Sequence, residues 1–217
     1  MAIKVGKKMK KTMNLIFCIF FSLLIIGSST MITVGFKQLY YFDINYLKIS
    51  EQNNLTKEEI KRNYDYMIDY NLNKISGEFE LPTIKSSPEG KVHFEEVKEI
   101  VQNVIKLLIV SLIITIVGII VNLKNNNIEF LNITSKLVII LPILVAIPML
   151  INFDKTFVVF HKLMFDNDYW IFDPSKDPVI NILPQEFFFH AGLLIVMLIL
   201  LSSVVLNIIY KYYKKKR

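Results

Sequence analysis

Four long stretches of the chain, 12–36, 107–123, 137–153 and 187–210, contain no Asp, Glu, Lys or Arg. A helix needs roughly 20 mostly apolar residues to cross the hydrocarbon core of a bilayer. The uncharged flanks 101–105 and 130–133 bring the two middle stretches to that length. Backbone polar groups in lipid must pair within their own segment, so these stretches are expected to be helices. The pattern predicts transmembrane helices over 13–36, 101–123, 131–152 and 187–210. Pro142 and Pro148 are expected to kink the third unless a neighbouring helix satisfies the freed carbonyls. Polar positions return in segments 37–100 and 153–186. In the first of these, Thr56 and Glu59 form a capping-box pattern. Behind it Ile60, Tyr64, Met67, Ile68, Leu72 and Ile75 recur at helical spacing. That is an amphipathic helix whose apolar side is expected on the membrane surface or on the bundle. Residues 82–90 read as a loop, 92–106 as a helix running into the second span, 157–165 as a short helix and 167–178 as a turn-rich stretch. About 60 residues suffice for small helices but not for a separate core.

Composition agrees with this pattern. Apolar residues make up 53% and charged residues 20% of the 217, with a mean hydropathy of +0.44. Soluble domains average about 45–50% and 25%. A disordered chain, a coiled coil and a disulfide scaffold are excluded. The single cysteine, Cys18, leaves no internal disulfide or thiolate metal cluster, and lies mid-span as a packing residue. The charges set an orientation. Lys4, Lys7, Lys8, Lys10 and Lys11 precede the first span; Lys211, Lys214, Lys215, Lys216 and Arg217 follow the last. Lys124 and Lys136 flank the short loop between the second and third. Segment 37–99 has nine bases against twelve acids, and 152–186 three against six. Both termini are therefore expected in the cytoplasm and both acidic segments outside it. The first apolar run exceeds the 7–15 residues of a signal-peptide core and is read as an uncleaved anchor. The expected fold class is an all-α membrane protein: a single membrane domain over 1–217, four transmembrane helices with two helical extracytoplasmic segments capping the bundle. The net charge of +6 is a topology signal with some attraction to anionic lipid, and no basic folded domain is left to bind nucleic acid.

All three histidines, His93, His161 and His190, fall in or beside the outer segments. A lone histidine at such a boundary is commonly a satisfied interfacial side chain. Two from different segments, each beside a membrane helix, raise the prospect of a shared site. His93 leads an H-x-x-E-V-K pattern that sets Glu96 one turn further along the same face. His161 sits inside an apolar helix, and His190, in the first turn of the fourth span, reads as structural. The dense aromatics of the second segment, including the only tryptophan, Trp170, read first as an interfacial belt.

The sequence resembles the bacterial lipoprotein intramolecular transacylase (Lit) family of four-span membrane proteins. The resemblance is carried by Asn63-Tyr64 and by His93-Phe94-Glu95-Glu96-Val97-Lys98. It is strongest over Phe160-His161-Lys162-Leu163-Met164-Phe165-Asp166-Asn167-Asp168-Tyr169-Trp170, followed by Asp173-Pro174, Asp177 and Leu183-Pro184-Gln185-Glu186-Phe187-Phe188. The family pattern often has Asp where this chain has Glu96. The resemblance implies transfer of the sn-2 acyl chain of a lipoprotein's S-diacylglyceryl cysteine to the α-amino group of that cysteine, giving the lyso-form, with no other acyl donor. It implies a diacylated lipoprotein and membrane lipid as partners, the cytoplasmic membrane of a bacterium as location, and an active site on the extracytoplasmic side.

Ester-to-amide transfer needs an amine, a base and a stabiliser of the oxyanion. An α-ammonium titrates near 7.7–8.0 and histidine near 6.5, so a neutral imidazole can accept the proton near neutral pH. No serine or cysteine nucleophile, metal or cofactor is expected. Nucleophile and ester share one molecule, and tethering supplies up to about 7–11 kcal/mol when the geometry is right. His161 is the expected base. His93 is its partner, donating to the oxyanion or passing a proton to the sn-2 oxygen, with Glu96 orienting it. Asn63, Tyr64, Asn167 and Trp170 are candidate donors, and Asp166 or Asp168 a candidate holder of the ammonium or orienter of His161. Two other readings compete: a metal-dependent membrane hydrolase using His93, Glu95 or Glu96 and His161, and a non-enzymatic scaffold or transporter subunit. The absence of H-E-x-x-H disfavours the first, and the scarcity of intramembrane charge disfavours an ion or proton path through the bundle in the second.

Overall fold

The computed structural model describes the backbone of residues 2–216 and the side chains of 10–216; the side chains of Lys4, Lys7, Lys8 and Arg217, used above for orientation, lie outside the described residues. Helices run in the order α1 (Ala2–Gly35), α2 (Lys37–Tyr46), α3 (Ile49–Gln52), α4 (Lys57–Asn71), α5 (Pro88–Lys124), α6 (Glu129–Ile151), α7 (Phe153–Met164), α8 (Val179–Ile182) and α9 (Gln185–Lys215), with no strand among the described residues. Four of them, α1, α5, α6 and α9, are long and apolar enough to cross a membrane. The protein is an all-α, four-span integral membrane protein. The chain divides into two compact units. One holds α1 up to Met31, Ile105–Ala146, and α9 from Leu194; the other holds Ile32–Val104 and Ile147–Leu193.

The long apolar helices bury few of their side chains inside the protein, as expected of segments that face lipid. Small side chains bring the helices of the first unit together. Phe17 packs against Gly118, where a Cβ would collide with the ring. Cys18 is fully buried, its thiol directed at the Phe130 carbonyl. Ser203 donates to the Ser135 carbonyl at 2.7 Å, and Tyr210 to Glu129 at 2.9 Å. Helix α6 is continuous through Pro142 and Pro148.

The second unit has a genuine core, which the sequence pattern does not announce. The apolar stripe of α4 (Ile60, Tyr64, Met67, Ile68) is buried, against Tyr40 and Ile44 of α2, Phe79 and Leu81 of the following loop, Phe94 of α5, Val179 and Ile182 of α8, and Phe187 of α9. The two polar segments pool their apolar residues, so α4 faces this core rather than a membrane surface. The Thr56–Glu59 capping box is fully formed. Tyr40 stacks on Tyr64 at 3.8 Å and donates its hydroxyl to the Ile182 carbonyl.

Two helix starts differ from expectation, and both matter for the site. Helix α5 begins at Pro88, inside the expected loop, because Ser87 caps it: its hydroxyl accepts from the Gly90 amide at 3.0 Å, and proline is pre-set for the first helical position. Helix α7 begins at Phe153, four residues early, because the Asn152 side chain accepts from the Lys155 amide at 2.8 Å.

Candidate active site

His93 and His161 meet inside the second unit, their ring centroids 6.1 Å apart. His93 lies near the start of α5, upstream of that helix's charge-free stretch, and is 6% exposed. Its position is set by the cap of α5. The Ser87 amide and hydroxyl both donate to the Asp177 carboxylate at 2.7 Å, fastening the helix start to the loop that follows α7. Gly90 permits this approach, since a Cβ there would overlap Asp177 Oδ1. His161 lies near the end of α7, where the Phe165 amide closes the helix on the His161 carbonyl at 2.9 Å.

The imidazoles sit in an aromatic box. Phe165 and Phe172 meet His93 edge-on, at 4.7 and 5.4 Å between centroids. Phe157 and Trp170 lie against His161 at 4.1 and 4.8 Å. Part of the expected aromatic belt is therefore the wall of this site. Burial, helped by the neighbouring His161, pushes His93 down to about 4, and burial also lowers His161, opposed by its bond to a backbone carbonyl. Both shifts favour the neutral form of the ring.

The two rings differ in hydrogen bonding. His161 Nδ1 is 2.8 Å from the Phe157 carbonyl oxygen. A carbonyl only accepts, so in the neutral ring Nδ1 carries the proton and Nε2 keeps the lone pair. His93 Nδ1 is buried without a hydrogen-bond partner among the described residues. Glu96 was expected to orient His93. Its Oε1 instead accepts from Asn167 Nδ2 at 2.7 Å, and its Oε2 is buried without a partner among the described residues. Asn167 also accepts at its backbone oxygen from the Trp170 indole at 3.1 Å. Glu96, Asn167, Trp170 and His161 thus form one connected series.

The other expected residues lie elsewhere. Asn63 is fully buried, pinning the loop after α4 through Thr83 and bonding the Glu59 carbonyl at 2.8 Å. Tyr64 is stacked in the core described above, and burial raises its pKa. Neither meets a histidine among the described contacts. Asp166 and Asp168 are exposed, and Asp168 lines a cavity of about 250 Å³ with Ser87, Tyr169 and Asp177. His161 is oriented by the Phe157 carbonyl rather than by either aspartate. His190 Nδ1 lies 2.9 Å from the fully buried carboxylate of Asp43, a partner that sequence reasoning missed because 147 positions separate them. Among the described residues no three His, Cys, Asp or Glu side chains converge as a metal donor set.

A family model described as lipoprotein intramolecular transacylase Lit matches residues 15–188. A search of curated proteins returned no match. Solved structures do match. The in meso structure of the membrane-integral lipoprotein intramolecular transacylase Lit from Bacillus cereus is 42% identical over 97% of this chain and 98% of that one, with a TM-score of 0.92. Variants of the same protein with a histidine replaced by arginine or by alanine match at 40% identity and TM-scores of 0.91, covering 99% and 100% of this chain and 96% and 98% of theirs. The chain belongs to the lipoprotein intramolecular transacylase Lit family and is an integral membrane acyltransferase.

Proposed function

We propose that this protein moves the sn-2 acyl chain of a lipoprotein's S-diacylglyceryl cysteine onto the α-amino group of the same cysteine, at the outer leaflet, with His161 as the base. The observation that carries this reading is the bond from His161 Nδ1 to the Phe157 carbonyl, which leaves Nε2 as a lone pair on the ring beside His93. The lipoprotein substrate follows from the family. The outer location rests on the distribution of lysine and arginine and on the acidic balance of the two segments that build the site.

The α-ammonium first gives one proton to His161 Nε2, which passes it on to bulk solvent and is neutral again. The neutral amine attacks the sn-2 ester carbonyl, forming a C–N bond and a tetrahedral oxyanion. His161 Nε2 takes the second proton from the attacking nitrogen. It returns that proton to the sn-2 oxygen as the C–O bond breaks. The products are an amide and a free glyceryl hydroxyl, with one proton released overall. No acyl-enzyme forms, because nucleophile and ester arrive on one molecule. His93, held neutral, donates a hydrogen bond to the oxyanion. Such a donor is worth about 3–4 kcal/mol in acyl transfer. Phe165, Phe172, Phe157 and Trp170 exclude water, which favours amine over water as the nucleophile. Asn167 and Trp170 hold the wall against His161.

The test is expression of His161→Asn and His93→Ala with a diacylated lipoprotein, followed by mass spectrometry of its N-terminal peptide. Wild type moves one acyl group from oxygen to nitrogen. Both variants should lose at least about 99% of the lyso-form at early times. Wild-type yield from both overturns the assignment.

A further inference from the structure

The site contains a negative charge that the acyl-transfer steps do not use. We propose that Glu96 receives the substrate's α-ammonium and thereby selects a lipidated N-terminus over the other glycerol diesters of the bilayer; this rests on the reading of the site given above.

Three observations converge. Glu96 Oε2 is buried and has no hydrogen-bond partner among the described residues, while Oε1 is held by Asn167 at 2.7 Å. A buried carboxylate oxygen without a donor is costly, and the cost is relieved when a ligand brings one. Next, no lysine, arginine or histidine forms an ion pair with Glu96 among the described residues. Its charge is left for a cation that arrives from outside. Finally, Glu96 stands one helical turn from His93, which is nine-tenths buried and whose Nδ1 is likewise without a partner. Through Asn167 and Trp170 it is tied to the wall of His161. An ammonium bound at Oε2 is thereby held one helical turn from His93 along α5.

The substrate has the complementary chemistry. A diacylglyceryl thioether is uncharged, and the only formal charge beside it is the α-ammonium. Membrane phospholipids carry the same two esters beside an anionic phosphate, which a carboxylate repels, and where a headgroup bears an ammonium it lies beyond that phosphate. The N-acylated product has lost its cation and leaves. Asp166 and Asp168, the sequence-based candidates for this task, are exposed to water, where a charge pair is worth far less.

The test uses ligands that cannot react. A radiolabelled cysteinyl lipopeptide with ether links in place of both esters is made with a free α-amine and, separately, with an N-acetyl group. Equilibrium binding to purified enzyme in detergent is measured for each. Wild type should bind the free amine at least about tenfold more tightly. Glu96→Gln keeps an acceptor for Asn167 and should bring the two ligands within about twofold, with binding of the N-acetyl ligand unchanged. Trp170 emission checks that the fold is kept. His161→Asn should keep the wild-type preference, because binding needs no base. Equal binding of the two ligands by wild type overturns the inference whatever the variants do, and so does an intact preference in Glu96→Gln. Turnover by the histidine variants overturns the proposed mechanism and leaves these ratios untouched.

Discussion

Lowering the pH should destabilise the second unit through His93. The ring titrates near 6.5 in an unfolded chain and about 4 in the folded one, because burial and the adjacent His161 disfavour its charged form. Between these values the unfolded chain binds a proton that the native site does not, so stability rises with pH across the window. The contribution is complete above about pH 6.5 and lost as pH falls towards 4. Protonating the unfolded ring costs the native state about 1.4 kcal/mol for every pH step below 6.5, giving a loss of about 2 kcal/mol at pH 5 and about 3 kcal/mol at pH 4. His161 acts in the same direction, its folded value also lying below the ordinary one. His93→Phe fills the aromatic box with a ring that cannot titrate, so the wild type minus variant difference isolates His93. Trp170 is the only tryptophan and packs on His161, so its emission follows this unit during denaturant titration in micelles. Stability at about pH 7, 6, 5 and 4.5 is the measurement. Wild type should lose stability progressively below pH 6.5 and His93→Phe should lose about 2 kcal/mol less by pH 5. Parallel curves for the two proteins would refute the claim that burial holds this ring neutral.

Three other perturbations follow from the geometry. Asp177→Ala removes both acceptors of Ser87 from a side chain that is 4% exposed; it should cost about 2–4 kcal/mol and lower lyso-form yield, read by denaturant titration and mass spectrometry, and Asp177→Asn should recover part of both. Trp170→Ala opens the wall of His161 and releases Asn167; initial rates should fall at least about tenfold with the fold retained, and free fatty acid should appear as water competes with the amine. Asn63→Ala leaves the loop after α4 unpinned in a fully buried position, so it should cost about 1–3 kcal/mol of stability while the rate per folded molecule stays within about twofold of wild type.

The spans were legible because the bilayer imposes a crude requirement: enough consecutive apolar residues. That requirement can be read without knowing any neighbour. The histidines were legible for a related reason, since ionisable side chains beside apolar helices stand out. What the sequence concealed was pairing. Glu96 lies one turn from His93, which made it the natural orienter by helical spacing; the structure gives its oxygen to Asn167, 71 positions away. Asn63 and Tyr64 carry family resemblance, yet their environment is set by Thr83 and Tyr40, which no local pattern announces. The pooled core of the second unit was hidden in the same way, because neither segment alone has enough apolar surface to close one.

Asp177 makes the physical point most directly. In sequence it is one carboxylate of a turn-rich stretch, and Ser87 and Gly90 are ordinary loop residues. Brought together, they fix where α5 starts and hold its first turn to the loop that follows α7. His93 in the aromatic box and Glu96 against Asn167 both lie on the turns that follow this anchor. The loop that carries Asp177 also carries Phe165, Asn167, Trp170 and Phe172, and it departs from the helix that carries His161. One segment therefore sets the register of the first imidazole and builds the wall of the second. The relative position of the two rings depends on the Ser87–Asp177 bonds as much as on the rings themselves, and a variant at Asp177 is expected to impair transfer without touching a reacting atom.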